Sequence, residues 1–490
     1  VTEPLALSDG RRGDETVLSD VQAKIALAFV LALFTAIQCA AMQFSVSDEN
    51  VYFYMGKLLA RGDLPYRDFR FAHPPLRLLP PAALFAAFGF HFKLLKLIPI
   101  VAAGATAALA FAFVRRATSP LAAVLAATLF LFSTTALSCT SYYMGPETAV
   151  AFVMAGLVAL QRARPAAAGV WMALASLVGL YAGCAVVVAA ASLAWADRRA
   201  LVRFAAGFGA VFGAGIGLCL LVGGAAFWNQ VVVFQTLKSA DETMPKSAVL
   251  SSIAGLDPAI LALAVVGLVL RRRGLGVALA TGLAFAAAVA GFSSIHPYYF
   301  LLCVPFLCIV AGDAVLSLLG RLRVSAGPAA VAAVVATIAL GASDVRRARE
   351  VVARQSLPRA AEIAAQVRRL ADPGDTLFGD ADVAPIVALL ADRDLLARNV
   401  DTNAKIYVTG ADDLASVRRT LSAPWRGVVL VRDIRVDGPY PIIGGPRIDD
   451  AFRELMNTRF ERAAEFPRAE APGQSIVLLV QNARPAAGGK

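Results

Sequence analysis

Asp48-Glu49-Asn50-Val51-Tyr52 follows closely on an apolar run, Ile25 to Phe44, interrupted only by Thr35, Gln38 and Gln43. Roughly 20 apolar residues are enough to cross a bilayer as a helix. The acidic pair therefore stands at a membrane boundary. The chain beyond it is dense in carboxylates, cations and tyrosines: Arg61-Gly62-Asp63-Leu64-Pro65-Tyr66-Arg67-Asp68-Phe69, then His73-Pro74-Pro75-Leu76. A loop of this kind between apolar segments is where chemistry is expected first.

The composition around it is that of a membrane protein. Of 490 residues, 58% are hydrophobic and 17% charged, and the mean hydropathy is +0.66. A soluble globule carries about a quarter charged residues, so most of this chain is expected to face lipid or other membrane helices. The formal charge of +11 comes from 46 basic against 35 acidic residues. The arginines gather in short gaps between apolar segments, which is the pattern of membrane topology and not of a nucleic-acid surface. The six cysteines, Cys39, Cys139, Cys184, Cys219, Cys303 and Cys308, lie in or beside apolar segments without metal-type spacing. They read as small core residues rather than a disulfide framework. Val1 to Asp20 lacks the form of a cleavable signal.

Further apolar segments run Lys93–Val114, Leu121–Leu137 and Thr148–Leu160, then as a short pair flanking Tyr181-Ala182-Gly183. They continue as Phe204–Val222, Ile260–Leu270, Val277–Gly291, Phe300–Leu319 and Ala329–Leu340. Leu76–Phe90 decides their phase. It carries Arg77 and Pro80-Pro81, which break a clean spanning helix. If it lies in the outer interface, every arginine-rich gap falls on the cytoplasmic side, as the positive-inside rule favours. About eleven spans result by the length criterion. The N-terminus is then cytoplasmic, in what would be a bacterial inner membrane. Asp48-Glu49, Glu147, a long polar loop Phe227–Ser252 and His296-Pro297-Tyr298-Tyr299 gather outside. The expected fold class is a polytopic α-helical membrane protein over 1–342, with a first outer loop over 45–92. A small extracytoplasmic α/β domain is expected over 343–490. Its strands read at Asp375–Asp380, Gly427–Val431 and Ser475–Val480, and its helices at Val345–Leu370, Pro385–Leu390 and Asp450–Phe460, an alternation typical of α/β units. With no histidine or cysteine, it reads as a scaffold or acceptor-docking domain.

These residues carry a resemblance. The acidic pair after the first span, then Gly-Asp-Leu-Pro-Tyr-Arg-Asp-Phe over 62–69, His-Pro-Pro-Leu over 73–76 and His-Pro-Tyr-Tyr-Phe over 296–300 resemble the GT-C fold glycosyltransferases. The nearest branch is the bacterial dolichyl-phosphate-mannose protein mannosyltransferase-like family, with the lipid A aminoarabinose transferases as relatives. The resemblance covers most of Asp48–Leu319. It implies inverting transfer of a sugar from a polyprenyl-phosphate donor to a lipid, glycan or protein acceptor, on the outer face. Membrane lipids would be its other partners, and nucleic acid would not be one.

Such chemistry needs a carboxylate to take the acceptor proton. Asp48 is the candidate, with capping of the following helix as its competing role; Glu49 and Glu147 are candidate supports. A leaving phosphate needs cations. Arg67, Arg70, His73, Lys246 and His296 are the candidates. Tyr52, Tyr66, Tyr298 and Tyr299 are expected to line the substrate cavity, interfacial anchoring being the alternative for the last two. The sequence departs from the aminoarabinose transferases, which have Arg where Val51 stands and Glu-Lys-Pro where Ala72-His73-Pro74 stands. Their metal and phosphate contacts therefore do not carry over; no metal ligand is assigned and no cofactor is required, with a divalent metal left open. A transporter or flippase of lipid-linked sugars is the reading from another class. The charge-free spans and unmatched halves speak against it. A lipid-linked oligosaccharide ligase or polymerase is a further rival, disfavoured by the early acidic loop.

Overall fold

The computed structural model describes residues 18–237, 246–270, 273–292, 295–321, 341–411, 413–422, 427–434 and 450–482. The expected last span, Ala329–Leu340, and the C-terminal tail from Ala483 lie outside them. The chain opens with α1 (Asp20–Ala40), set by a capping box in which the Ser19 hydroxyl accepts from Gln22 N and the Gln22 side chain accepts from Ser19 N. Next come α2 (Glu49–Ala60), a 3-10 turn (Pro75–Leu78) and α3 (Leu79–Phe88). Pro80-Pro81 fall in the first turn of α3, where a missing N–H costs nothing. Ten residues make about 15 Å of helix, too short to cross, and Leu79 and Phe88 are exposed.

The bundle continues with α4 (Phe92–Ala117), α5 (Pro120–Leu131), α6 (Thr134–Cys139), α7 (Pro146–Gln161), α8 (Pro165–Val178), α9 (Gly183–Ala196) and α10 (Arg198–Trp228). It is completed by α11 (Phe234–Leu237), α12 (Lys246–Leu256), α13 (Pro258–Leu270), α14 (Gly276–Gly291) and α15 (Val304–Arg321). Small residues let helices meet backbone to backbone. A Cβ on Gly169 of α8 would collide with Phe204 O of α10, and one on Gly207 of α10 with Ala166 O of α8, the close approach favoured between helices in lipid. Among the described residues α1, α4 and the run Arg198–Leu237 are each long and apolar enough to cross a membrane. Only 6% of the apolar window in that last run is buried, so its surroundings must themselves be apolar. The bent pair α12–α13, 85° apart, makes a fourth. Length and apolarity thus mark fewer spans than the about eleven expected. The other apolar helices stop after 10–17 residues: the Leu121–Leu137 segment, for one, breaks at Phe132-Ser133, where Ser133 caps α6.

The stretch Phe227–Ser252, expected as a polar loop, is helical at both described ends. Phe227, Val231 and Phe234 recur at helical spacing and are all buried, which carries the helix past Trp228 through a π-turn at Asn229–Val233.

A helical run over 341–354 (α16) leads to the C-terminal domain. The expected single helix Val345–Leu370 is interrupted at Ser356–Pro358, where Ser356 bridges to Ser45 and Leu357 N donates to Phe44 O, and resumes as α17 (Ala360–Leu370). The sheet has five strands in the order β2-β1-β3-β5-β4: β1 (Thr376–Gly379), β2 (Asp394–Leu395), β3 (Gly427–Ile434), β4 (Phe460–Pro467) and β5 (Gln474–Gln481). β1 is parallel to β2 and β3, and β5 is antiparallel to β3 and β4. The expected strands and the helices α18 (Ala384–Ala391), α19 (Ala404–Val408), α20 (Leu414–Ser422) and α21 (Asp450–Arg459) order around it. Strand alternation splits the sheet's apolar residues between two cores. Val429, Val477 and Leu479 face outward to Phe460 and Met456. Val428, Leu430, Ile476 and Leu478 join a core that also holds Val51, Tyr54, Met55 and Leu58 of α2. The C-terminal domain is therefore packed onto the loop region 45–92 through α2.

Candidate active site

Helix α2 organises the site by presenting three faces. Asp48, Val51, Tyr52 and Met55, at i, i+3, i+4 and i+7, line a cavity of about 1160 Å³. Tyr54, Lys57 and Arg61 face the C-terminal domain, where all three reach Asp394. Gly56 faces α3, and a Cβ there would come within 2.8 Å of Pro81 Cβ. Asp48 precedes the helix with φ −57° and makes no side-chain capping bond. Asp48 lines the cavity, and its carboxylate is not spent on the helix end.

Glu49, one residue on, points elsewhere. It is fully buried, 2.6 Å from Lys96 Nζ of α4, and accepts from Tyr143 N and the Ser45 hydroxyl. Asn50 reaches across to the C-terminal domain, donating to Asp382 O and to Ser45 O. The two ends of α2 are both tied to their surroundings, which fixes the direction in which Asp48 faces.

His73 lines the same cavity, its Nε2 3.3 Å from the Tyr52 hydroxyl. Tyr66 holds the His73 backbone, donating its hydroxyl to His73 O at 2.6 Å. Lys246 and His296 also line the cavity, with Tyr298 and Tyr299. The His296 ring stacks on Tyr298 at 5.3 Å, and the two tyrosine rings are 4.6 Å apart. Burial holds the Tyr52 phenol well above its usual pKa; Arg77 opposes this, and Asp48 and Asp401 add to it. Both carboxylates thus act on Tyr52 from the cavity they line.

Several expected site residues do not reach this wall. Arg67 is exposed and chelates its neighbour Asp68, whose carboxyl Arg67 and the Leu64 N–H pull down to about 2. Arg70 donates to Ala411 O at 2.5 Å and lies over the Phe234 ring at 4.7 Å, joining the two domains instead of facing the cavity. Glu49 is taken by Lys96. Glu147 is buried at the start of α7, accepting from Met144 N and Gly145 N, and shapes the turn at Gly145, whose φ is +100°. Tyr66 is buried behind His73 against Phe227.

Other residues were missed. The C-terminal domain, expected to be a scaffold or acceptor-docking domain, supplies Asp382, Asp401, Asn403, Lys405 and Arg468 to the cavity wall. No local motif marks them, because the sheet brings them there from distant positions. Arg77 and Tyr181 stand behind and beside Tyr52. Their signal was legible: a lone arginine inside the apolar Leu76–Phe90 segment is costly unless it has a role. Among the described residues no three His, Cys, Asp or Glu side chains converge to hold a metal.

No protein-family model matches the sequence, nor does any curated protein. Solved structures do. ArnT from Cupriavidus metallidurans, in the apo state and bound to undecaprenyl phosphate, superposes with TM-score 0.65 at 15% identity, over 96% of this chain and 100% of that one. The apo oligosaccharyltransferase of Archaeoglobus fulgidus matches with TM-score 0.57 at 12% identity, over 84% of this chain and 70% of that one. The arabinofuranosyltransferase AftD from Mycobacteria matches with TM-score 0.51 at 15% identity, over 96% of this chain and 40% of that one. The fold is that of the GT-C glycosyltransferases. At these identities the fold is what the chains share.

Proposed function

We propose that this chain is a membrane glycosyltransferase that moves a sugar from a polyprenyl-phosphate donor to a lipid, glycan or protein acceptor. The observation that carries the reading is the placement of Asp48. A carboxylate not spent on capping its helix faces a cavity of about 1160 Å³ shared with His73, Lys246 and His296. The likeness in fold to a protein solved with undecaprenyl phosphate supports a lipid-phosphate donor.

In this reaction the acceptor O–H gives its proton to Asp48 as its oxygen bonds the anomeric carbon. The bond from that carbon to the phosphate oxygen breaks, and polyprenyl phosphate leaves with the electron pair. Attack opposite the leaving group inverts the anomeric centre. His73, Lys246 and His296 would meet the developing phosphate charge. Glu49 and Glu147 act as positioning groups, the first through Lys96 and α2, the second through the Gly145 turn. The arginine-rich gaps support a cytoplasmic N-terminus and about eleven spans in a bacterial inner membrane, shorter helices included. The C-terminal domain would then lie outside.

Purified protein in liposomes, given polyprenyl-phosphate sugars and candidate acceptors, should release polyprenyl phosphate only when an acceptor is present. Movement of the labelled donor between leaflets without any release would replace this reading by the flippase.

A further inference from the structure

Arg77 is 2% exposed, in the 3-10 turn Pro75–Leu78. Its backbone is pinned by the Tyr143 hydroxyl, which donates to Arg77 O. Its guanidinium donates from Nη1 to the Tyr52 hydroxyl at 3.0 Å and from Nη2 to the Tyr181 hydroxyl at 3.4 Å, and lies 5.0 Å from the Tyr52 ring. Nε has no hydrogen-bond partner among the described residues. It is pressed against Gly145, where any Cβ would collide with it. Glu147, the buried acid of α7, is engaged by Met144 N and Gly145 N. Among the described residues no carboxylate forms a salt bridge with Arg77, although its charge acts on the Glu147 carboxylate.

A buried guanidinium without an anion is costly, and its usual compensation is a partner. Both of its hydroxyl contacts, Tyr52 and Tyr181, line the cavity. A phenol has one proton to give. When its oxygen accepts from Arg77, that proton is turned away from the guanidinium, and the Arg77 charge makes it a stronger donor. With His73 donating from Nε2 to the Tyr52 oxygen, 3.3 Å away, both phenol protons are left for an anion with several acceptor oxygens. Tyr52 also lies one helical turn from Asp48, so the two side chains share a face about 5–6 Å apart at Cβ. An anion at Tyr52 would therefore hold its attached group beside Asp48.

We propose that Arg77, acting through the hydroxyls of Tyr52 and Tyr181, builds the subsite for the lipid-linked phosphate, whose charge balances its own. Arg77 is a positioning residue, and the phenols make the contact. The inference rests on the transferase reading for the identity of the phosphate, but binding tests it without turnover.

The probes are farnesyl phosphate, farnesol and inorganic phosphate, with full-length protein in nanodiscs. The wild type should prefer farnesyl phosphate to farnesol and to inorganic phosphate. Arg77→Met should weaken farnesyl phosphate by about tenfold or more, the scale of one lost charge-assisted contact, and leave farnesol unchanged. Arg77→Lys should recover part of the loss. Unchanged farnesyl phosphate affinity in Arg77→Met overturns the proposal. An equal loss of farnesol, which marks a structural role, overturns it too, as does inorganic phosphate binding as tightly as the lipid. Should Arg77→Met not fold, the double variant Tyr52→Phe/Tyr181→Phe takes its place: a selective loss of farnesyl phosphate supports the subsite and an unchanged affinity removes it. A protein that transfers no sugar yet binds farnesyl phosphate through Arg77 sinks the transferase reading alone. A working transferase whose Arg77→Met variant binds farnesyl phosphate normally sinks the subsite alone.

Discussion

Lys57 Nζ lies 3.0 Å from the Asp394 carboxylate, across the junction between α2 and the C-terminal sheet. Tyr54 and Arg61 of the same helix face reach the same carboxylate, at 3.3 and 3.0 Å, and Leu395 N donates to the Tyr54 hydroxyl at 2.8 Å. Helix α2 is thus clamped to the edge strand β2 along one face while Asp48 stands at its N-terminal end, on another. The C-terminal domain is part of what holds the candidate base in place.

Asp394→Asn should loosen this clamp in a pH-dependent way. Burial raises the Asp394 pKa, but Lys57 and Arg61 outweigh it and leave it below the ordinary carboxylate value. A group depressed in the folded state stabilises fully above its unfolded pKa and loses that stabilisation as pH falls through the folded one. Asp394 itself is more than half exposed, so the effect is small, about 0.5–1 kcal/mol. Thermal melts should show wild type above Asp394→Asn at pH 7, with the gap closing in the acid range. A gap independent of pH would assign the effect to packing.

Asp48→Asn should keep the fold and lose transfer. No capping bond is lost, because Asp48 makes none, so the helix end should survive the change. Loss of a general base costs a factor of ~100 to 10,000 in rate. Turnover near wild type in the purified variant would remove Asp48 from the mechanism.

Lys96→Met should be more damaging to stability than the double variant Glu49→Gln/Lys96→Met. Both partners are buried, with side chains 3% and 0% exposed. Removing one partner of a buried pair leaves an uncompensated charge, at about 3–5 kcal/mol, whereas removing both charges is often close to neutral. Melting temperatures in detergent decide it: equal losses in the single and double variants would mean that packing, not the charge, is what Lys96 contributes.

How far the sequence could be read is clearest at Asp48 and Glu49. Their place after the first span pointed to a loop that lines the cavity, where Asp48, His73, Lys246 and His296 meet. Chain neighbours on a helix point about 100° apart, however, so one acid faces the cavity and the next faces Lys96. Only the phase of α2, set by what Val51, Tyr52 and Met55 pack against, separates them. The strands of the C-terminal sheet were legible because buried runs such as Ile476–Leu479 are marked by composition. That domain's place against α2 was not legible, since it depends on contacts like Tyr54–Asp394 between residues 340 apart. Arg67 and Arg70 show the same limit: a cation's position in sequence says nothing of whether Asp68 or Ala411 takes it first.

The topology can be tested with a membrane-impermeant thiol reagent on intact cells, in a background where the six native cysteines are replaced. Glu461 on β4 is exposed, as are Arg116 near the end of α4 and Arg164 between α7 and α8. The arginines at these helix ends are expected to be held inside by the positive-inside rule. The start of α4, beside Leu79–Phe88, then lies on Asp48's side of the membrane, because α4 ends at Arg115-Arg116. A Cys replacing Glu461 should label in intact cells. Cys at Arg116 or Arg164 should label only after the membrane is permeabilised. Labelling of the two arginine positions from outside, with Glu461 protected, would invert the assignment and put the Asp48 cavity on the cytoplasmic face, where the donor would have to be presented from inside.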